Sequence, residues 1–393
     1  MIKRLFVAII LMTVGAFFYS KYVRNVTEVI PFEVIRQSIF FNVEIEGKSY
    51  TFQFDTGAGT SISPELQEKL KLDTIGTQPS LDLYNNFSIV DEVMLPELKL
   101  GTMVTENMEV AIMRPIQSFT PCDKNVDGYL GLEFFDGKVL KIDLRNKEII
   151  VANSIGALQE NFGIPLEMEY HHGRKRPHIN ISYPELKGKE NVIFDTGSGN
   201  DFLKLSKNTF QQMLEHGELS QKSILDTTYI HEGRGLFGGQ KDTINYTVNI
   251  SKLVIGNTTF DNLTTQTFDS KGNSNLGAAI LAKAVIVLDL VRDKFYLKPY
   301  ENANLVYGSP IDFKYRDYKV TEVSPASKAY EAGVRIGQIV KAVDNHHFDS
   351  LTVCEQLDLD MRETFQQKNI QFLFESEDGD IVYNYTAPEP ESE

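Results

Sequence analysis

Two aspartates of this 393-residue chain sit in the same small setting. Asp55 lies in "FQFDTGAGTSIS", residues 52–63, and Asp195 lies in "VIFDTGS", residues 192–198. Each follows an apolar run ending in Phe, Phe54 or Phe194, and each precedes Thr and Gly. One Asp-Thr-Gly triplet is an ordinary turn, because Asp and Gly are routine turn residues. Two matched copies call for chemistry. Carboxylates brought to about 3 Å from each other cannot both ionise readily, so they share one proton. The ionised member then takes a proton from a water held between them, while the protonated member donates to the carbonyl oxygen of an amide. Gly57 and Gly197 allow the tight turns and the close backbone approach that such a pair needs.

Positioning two such turns requires a duplicated frame, and the chain carries one. "IPFE" at residues 30–33 returns as "IPLE" at 164–167, and "EGKSYTFQFDTG" returns as "KGKENVIFDTG". "LKLGTMVTENMEV" from Leu98 matches "LVIGNTTFDNLTT" from Leu253. "YLGLEFFDGKVLKIDL" matches "NLGAAILAKAVIVLDL", setting Gly131 on Gly277 and Asp143 on Asp289 at an offset of 146. The anchors keep their order while their spacing drifts by loop-sized amounts, as in a duplicated unit with surface insertions.

Within each copy the pattern reads as strand. "SIFFNVEIEGKSYTFQFD" alternates about a Gly-Lys turn and predicts a hairpin that runs into the first Asp-Thr-Gly. No regular interleaving of strands with long amphipathic helices appears, which excludes a doubly wound α/β domain. The expectation is a mainly β fold of two duplicated barrel-like lobes with short helices. The boundaries expected are 25–155 for the first lobe and 156–304 for the second, with a C-terminal module over 305–387 and an acidic tail over 388–393.

Composition narrows the function classes. A formal charge of -15 disfavours nucleic-acid partners, which need a positive surface. The two cysteines, Cys122 and Cys354, form neither a disulfide framework nor a metal-ligand set. After Lys3 and Arg4 comes the apolar run "LFVAIILMTVGAFFY", residues 5–19. It reads as a signal anchor or signal peptide over residues 1–24, the uncleaved anchor being favoured because no clean cleavage site follows. Basic residues stay cytoplasmic, which places the rest of the chain on the periplasmic or extracellular side, or free in that space if the segment is cleaved. Other signals are weaker. Gly233, Gly235 and Gly238 fit a dinucleotide fingerprint without its βαβ unit and read as a hairpin tip. "HHGRKRPH", with His171, His172 and His178, lacks acidic or thiol companions and reads as a basic surface loop.

The residues "FDTGA" at 54–58 and "FDTGS" at 194–198, with "YLGLEF" at 129–134 and "NLGAAI" at 275–280, give each copy a resemblance to the retropepsin-like aspartic proteases. The fused pair resembles bilobal enzymes of that clan over roughly residues 30–300. That resemblance implies a catalytic dyad of Asp55 and Asp195, with Thr56 and Thr196 cross-bracing the turns beneath it. It implies a flap over the cleft, to which Gly235, Phe237 and Gly238 of "HEGRGLFGGQKD" and Tyr84 of the Gly-free "LDLYNNFSIVDEV" are assigned. It implies no metal and no organic cofactor. Beside it, the residue reading makes Asp195 the more often ionised member, because Ser198 in place of Ala58 can stabilise a carboxylate.

Beyond residue 304 the pattern changes. Ser324, Pro325, Ala326, Ala332, Gly333, Val334 and Gly337 sit as in bacterial protease-associated PDZ domains, an α+β module that binds an extended peptide by strand addition. Gln338 replaces the usual Asp, and "FKYRDYKV" is a poor carboxylate-binding loop, so a C-terminal peptide ligand and a structural cap both stay open. Taken together, the chain reads as a monomeric, membrane-associated aspartic endopeptidase acting on peptide or protein substrates. The competing reading is a non-catalytic, peptide-binding envelope scaffold.

Overall fold

The computed structural model describes residues 27–35, 38–82, 84, 86–114, 125–170, 175–184, 189–198, 201–217, 219–230, 233–240, 243–270, 272–301, 313–316, 319–323, 327–335, 337–344, 346–350, 369–376 and 379–386. The apolar N-terminal run, both cysteines, Ser324, Pro325 and Ala326 lie outside them. Among the described residues no helix is long and apolar enough to cross a membrane.

The chain is mainly β, with barrel-like sheets and short helices such as Pro64–Leu70 and Lys207–Glu215. In the first copy, Ser38–Ile45 pairs antiparallel with Lys48–Phe54. Glu46 and Gly47, at φ 50° and 74°, close this hairpin with the left-handed pair that matches strand twist. Alternation then does the packing: Phe41, Phe52 and Phe54 are buried, and the Phe54 ring meets Phe41 and Phe135 edge to face at 5.8 Å each.

The strand topology around each Asp-Thr-Gly turn is the same. Lys48–Phe54 pairs in parallel with Gly128–Leu130, which pairs antiparallel with Ser61–Ile62, which pairs in parallel with Met103–Ile112. In the second copy Lys189–Asp195 pairs in parallel with Asn275–Gly277, then Leu203–Ser206, then Thr258–Phe268. The strand carrying the repeated Leu-Gly is therefore threaded between the strand entering the turn and the strand leaving it.

One sheet joins the copies. Thr27–Pro31, Glu148–Ala152 and Val139–Asp143 continue through Ala284–Asp289, Lys294–Pro299 and Leu166–Tyr170. At its middle Leu140 faces Leu288, Lys141 faces Val287 and Ile142 faces Ile286. The sequence offset of 146 carries Lys141 onto Val287, so the register is self-complementary about that pair, as a two-fold relation between copies requires. Asp143 and Asp289, repeated in the sequence, serve the adjoining hairpin turns: Asp289 Oδ1 accepts from Val291 N at 3.1 Å and Arg292 N at 3.0 Å, and Asp143 Oδ1 from Asn146 N at 3.2 Å.

The C-terminal strands Phe313–Arg316, Lys319–Val323, Ile339–Val343, Asn369–Glu375 and Ile381–Thr386 form a separate sheet. Its own apolar core includes Phe313, Val320, Val334, Phe372 and Phe374. Gly333 and Gly337 adopt φ 99° and 87°, and Gln338, just after them, accepts at Oε1 from Arg335 N at 2.7 Å.

Candidate active site

Each aspartate stands at the end of a strand anchored by a fully buried phenylalanine, Phe54 or Phe194. The next residues, Thr56 and Thr196, are themselves without solvent exposure and bind the opposite turn. Thr56 Oγ1 donates to Phe194 O at 2.6 Å and accepts from Thr196 N at 3.0 Å. Reciprocally, Thr196 Oγ1 donates to Phe54 O at 3.0 Å and accepts from Thr56 N at 3.0 Å. Four buried hydrogen bonds thus fix the two turns to each other directly beneath the carboxylates.

The glycines let the carboxylates meet. Asp55 Oδ1 accepts from Gly57 N at 2.8 Å, and Asp195 Oδ1 from Gly197 N at 2.9 Å. A Cβ on Gly57 would lie 2.5 Å from Asp195 Cγ, and one on Gly197 would overlap the Asp55 carboxylate. Each carboxylate therefore rests on the other turn's glycine. The repeated Leu-Gly works one layer further out: a Cβ on Gly277 would lie 2.6 Å from Ser198 O, and one on Gly131 2.8 Å from Ala58 O.

Burial and the adjacent Asp195 hold the Asp55 carboxyl well above the usual carboxylate range, against a smaller lowering from Gly57 N and Arg176. Desolvation penalises a second charge at this point, so Asp55 keeps the proton. The two aspartates differ in their further partners. Asn275 Nδ2 donates to Asp195 Oδ2 at 2.7 Å. Ser198, expected to supply that donor, instead directs its hydroxyl to Asp201 Oδ2 at 3.3 Å. The threaded strand lays Asn275 alongside Ile193, two residues before Asp195, while Asp201 lies three residues past Ser198 and accepts from its hydroxyl.

Each copy also carries a hairpin beyond the strand leaving its turn. In the first copy Thr74–Leu81 pairs with Phe87–Leu100. Its tip has no glycine, and a side chain does the closing: Asp82 Oδ1 accepts from Tyr84 N and Asn86 N, both at 2.9 Å, while Asp82 Oδ2 accepts from Asn86 Nδ2 at 3.0 Å. In the second copy Gly233–Gly235 pairs with Gly238–Gln240, placing Leu236 and Phe237 at the tip. That tip lands on the first copy. Phe237 N donates to Asp82 Oδ2 at 3.1 Å, and Leu236 and Phe237 pack against Val90, Ala111 and Met113. Ala111 is the register partner of Ser61, on the strand leaving the first turn. The two hairpins are thus tied to each other. Asp82→Ala is expected to free the Phe237 amide, raising its hydrogen-exchange rate about 10-fold or more while core amides stay unchanged; exchange read by mass spectrometry checks this.

Sequence reasoning missed Asn275, Asp82, Asp201, Lys204 and Arg176. For Asn275 a signal existed, since "NLG" stands where the first copy has "YLG". Arg176 belongs to the stretch read as a basic surface loop, yet its charge acts on Asp55. His178 Nδ1 lies 2.9 Å from Arg176 O, and His171 and His172 are outside the described residues. Among the described residues no group of His, Cys, Asp and Glu could hold a metal ion.

Residues 41–134 match the aspartyl protease family model, a span that includes the first Asp-Thr-Gly turn and ends within "YLGLEF". The chain is also similar to two solved structures. One is conglutin gamma, a basic 7S globulin from lupine seeds, at 10% identity and a TM-score of 0.40, covering 72% of this chain and 98% of that one. The other is the aspartic proteinase from Irpex lacteus, at 10% identity and a TM-score of 0.42, covering 72% of this chain and 100% of that one. No curated protein matches the chain. The family match supports an aspartic protease fold and a peptidase; the pairing of the two turns is a matter of the geometry above.

Proposed function

We propose that this chain is an aspartic endopeptidase that hydrolyses peptide bonds with a water activated between Asp55 and Asp195. The observation that carries this reading is the mutual seating of the two carboxylates, each on the other turn's glycine, above four reciprocal threonine bonds. A scaffold needs none of this. It buries two like-charged groups together, which destabilises the fold unless a proton is retained.

The steps follow from the asymmetry. Asp195, charged and held by Gly197 N and Asn275 Nδ2, takes a proton from the water as its oxygen attacks the amide carbon. Asp55 gives its proton to the carbonyl oxygen, so the tetrahedral intermediate forms without a free oxyanion. Asp195 then passes its proton to the amide nitrogen, the C–N bond breaks, and one hydroxyl of the intermediate returns a proton to Asp55. No metal or organic cofactor enters. Substrate entry parts the two hairpins held together at Asp82 and Phe237.

In the same reading the chain is a monomer, since both carboxylates come from one polypeptide. Residues 25–155 and 156–304 supply the two halves of the cleft. Residues 1–24 tether it to a membrane with the cleft on the periplasmic or extracellular side. The C-terminal sheet is a PDZ-like module that takes an extended peptide as an added strand. The test is digestion of a diverse peptide pool by the full-length chain from acid to neutral pH. Internal cleavage at acid pH, with a consistent residue preference on either side of the cut, supports the proposal. A folded chain that leaves the pool intact at every pH overturns it.

A further inference from the structure

Lys204 lies on Leu203–Ser206, the strand that leaves the second Asp-Thr-Gly turn. The antiparallel register sets it opposite Asn275, so the two side chains share one face of the sheet. Asn275 is the residue that donates to Asp195 Oδ2 at 2.7 Å. Lys204 Nζ lies 3.0 Å from Asp201 Oδ2, the carboxylate that also accepts from Ser198. With a side chain only 25% exposed, the ammonium is withdrawn from bulk water, and its field is screened less than that of a surface lysine. In the first copy the corresponding position, opposite Tyr129, is Ser61, so this lysine has no counterpart there.

We propose that Lys204 is a positioning residue of the dyad, an ammonium that sets the pH window in which the pair holds a single proton by stabilising negative charge on its carboxylates. The proposal rests on the endopeptidase reading for its effect on turnover, but its electrostatic core does not. Burial opposes the Lys204 charge, yet Asp201, Tyr84 and Asp195 outweigh it and keep the ammonium above the usual lysine range. The groups that act on the dyad are Arg176, whose charge lowers Asp55, and Lys204 with its partner Asp201 on the strand leaving the second turn. Tyr84, from the tip of the first hairpin, also raises Lys204 electrostatically.

The sign is fixed. A cation lowers the pH at which a carboxyl pair loses each proton. Removing it moves both steps upward, so the window in which the pair holds a single proton moves to higher pH. For Lys204→Met, both limbs of the pH dependence of kcat/KM are expected to rise by about half to one pH unit, and Lys204→Arg is expected to restore them. The same shift is read without turnover by carbon NMR of aspartate-labelled protein, with the dyad signals assigned through Asp55→Asn and Asp195→Asn. A dyad titration that moves up in Lys204→Met and returns in Lys204→Arg establishes the role, even if no peptide is cleaved and the endopeptidase reading fails. Unmoved titration in a folded Lys204→Met chain, with or without altered kcat, overturns it.

Discussion

Asp55→Asn and Asp195→Asn are each expected to lower kcat/KM on the order of 10⁴-fold, the upper end of what losing one general acid or base costs. The loss should be equal in kind for both, because neither carboxyl works without the other. Stability should separate them from ordinary active-site damage. Asp55 binds its proton more tightly in the folded chain than an unfolded aspartate does. Its contribution to stability is then fully present below the unfolded pKa and is lost as pH rises through the raised folded value. Asn at position 55 mimics the protonated form at every pH. Asp55→Asn should therefore melt above the wild-type chain at pH 7 and level with it near pH 3, while being inactive at both. Calorimetry beside peptide cleavage checks both halves. An Asp55→Asn chain that is less stable than wild type at pH 7, or that cleaves normally, contradicts the assignment.

Thr56→Val is expected to have the second largest effect, although valine nearly matches threonine in shape. The substitution strands two buried backbone groups, Phe194 O and Thr196 N, which now meet Thr56 Oγ1 at 2.6 and 3.0 Å. Each unmet group costs about 1–3 kcal/mol, so a loss of about 2–6 kcal/mol is expected. Activity should fall further than stability suggests, because a displacement of about 1 Å between reacting groups costs about 10²-fold. Thr56→Ser keeps the hydroxyl and should recover most of both. Thr196→Val should behave alike, since its two bonds are the mirror of these. Denaturant titration and kcat on one peptide separate the effects. A Thr56→Val chain of unchanged stability would show that the turns are held together by something else.

What could be read from the sequence was what repeats locally. The paired Asp-Thr-Gly turns, the Gly-Lys hairpin and the Leu-Gly strands are short motifs whose geometry is set by neighbouring residues, and duplication makes them visible twice. The residues that distinguish one aspartate from the other were not legible in this way. Asn275 reaches Asp195 across 80 positions, because a strand from the far end of the copy is threaded beside the turn. Ser198, adjacent in sequence, looked like the better donor and is bonded elsewhere. The first hairpin was hardest to read. Its tip has no glycine, and the carboxylate of Asp82 closes it and also holds Phe237 from the other copy. No pattern along the chain signals a bond between two loops 155 residues apart.

The most direct measurement is hydrolysis of the peptide pool in water enriched in oxygen-18, comparing the full-length chain with Asp55→Asn and Asp195→Asn by mass spectrometry. Single-turnover conditions keep the label from being re-exchanged. Attack by a water lodged between the two carboxylates predicts one oxygen-18 in the new C-terminal carboxyl of each product from the unmodified chain. It also predicts no such products from either variant. Labelled products that persist in Asp195→Asn, or products that first appear unlabelled, would contradict it.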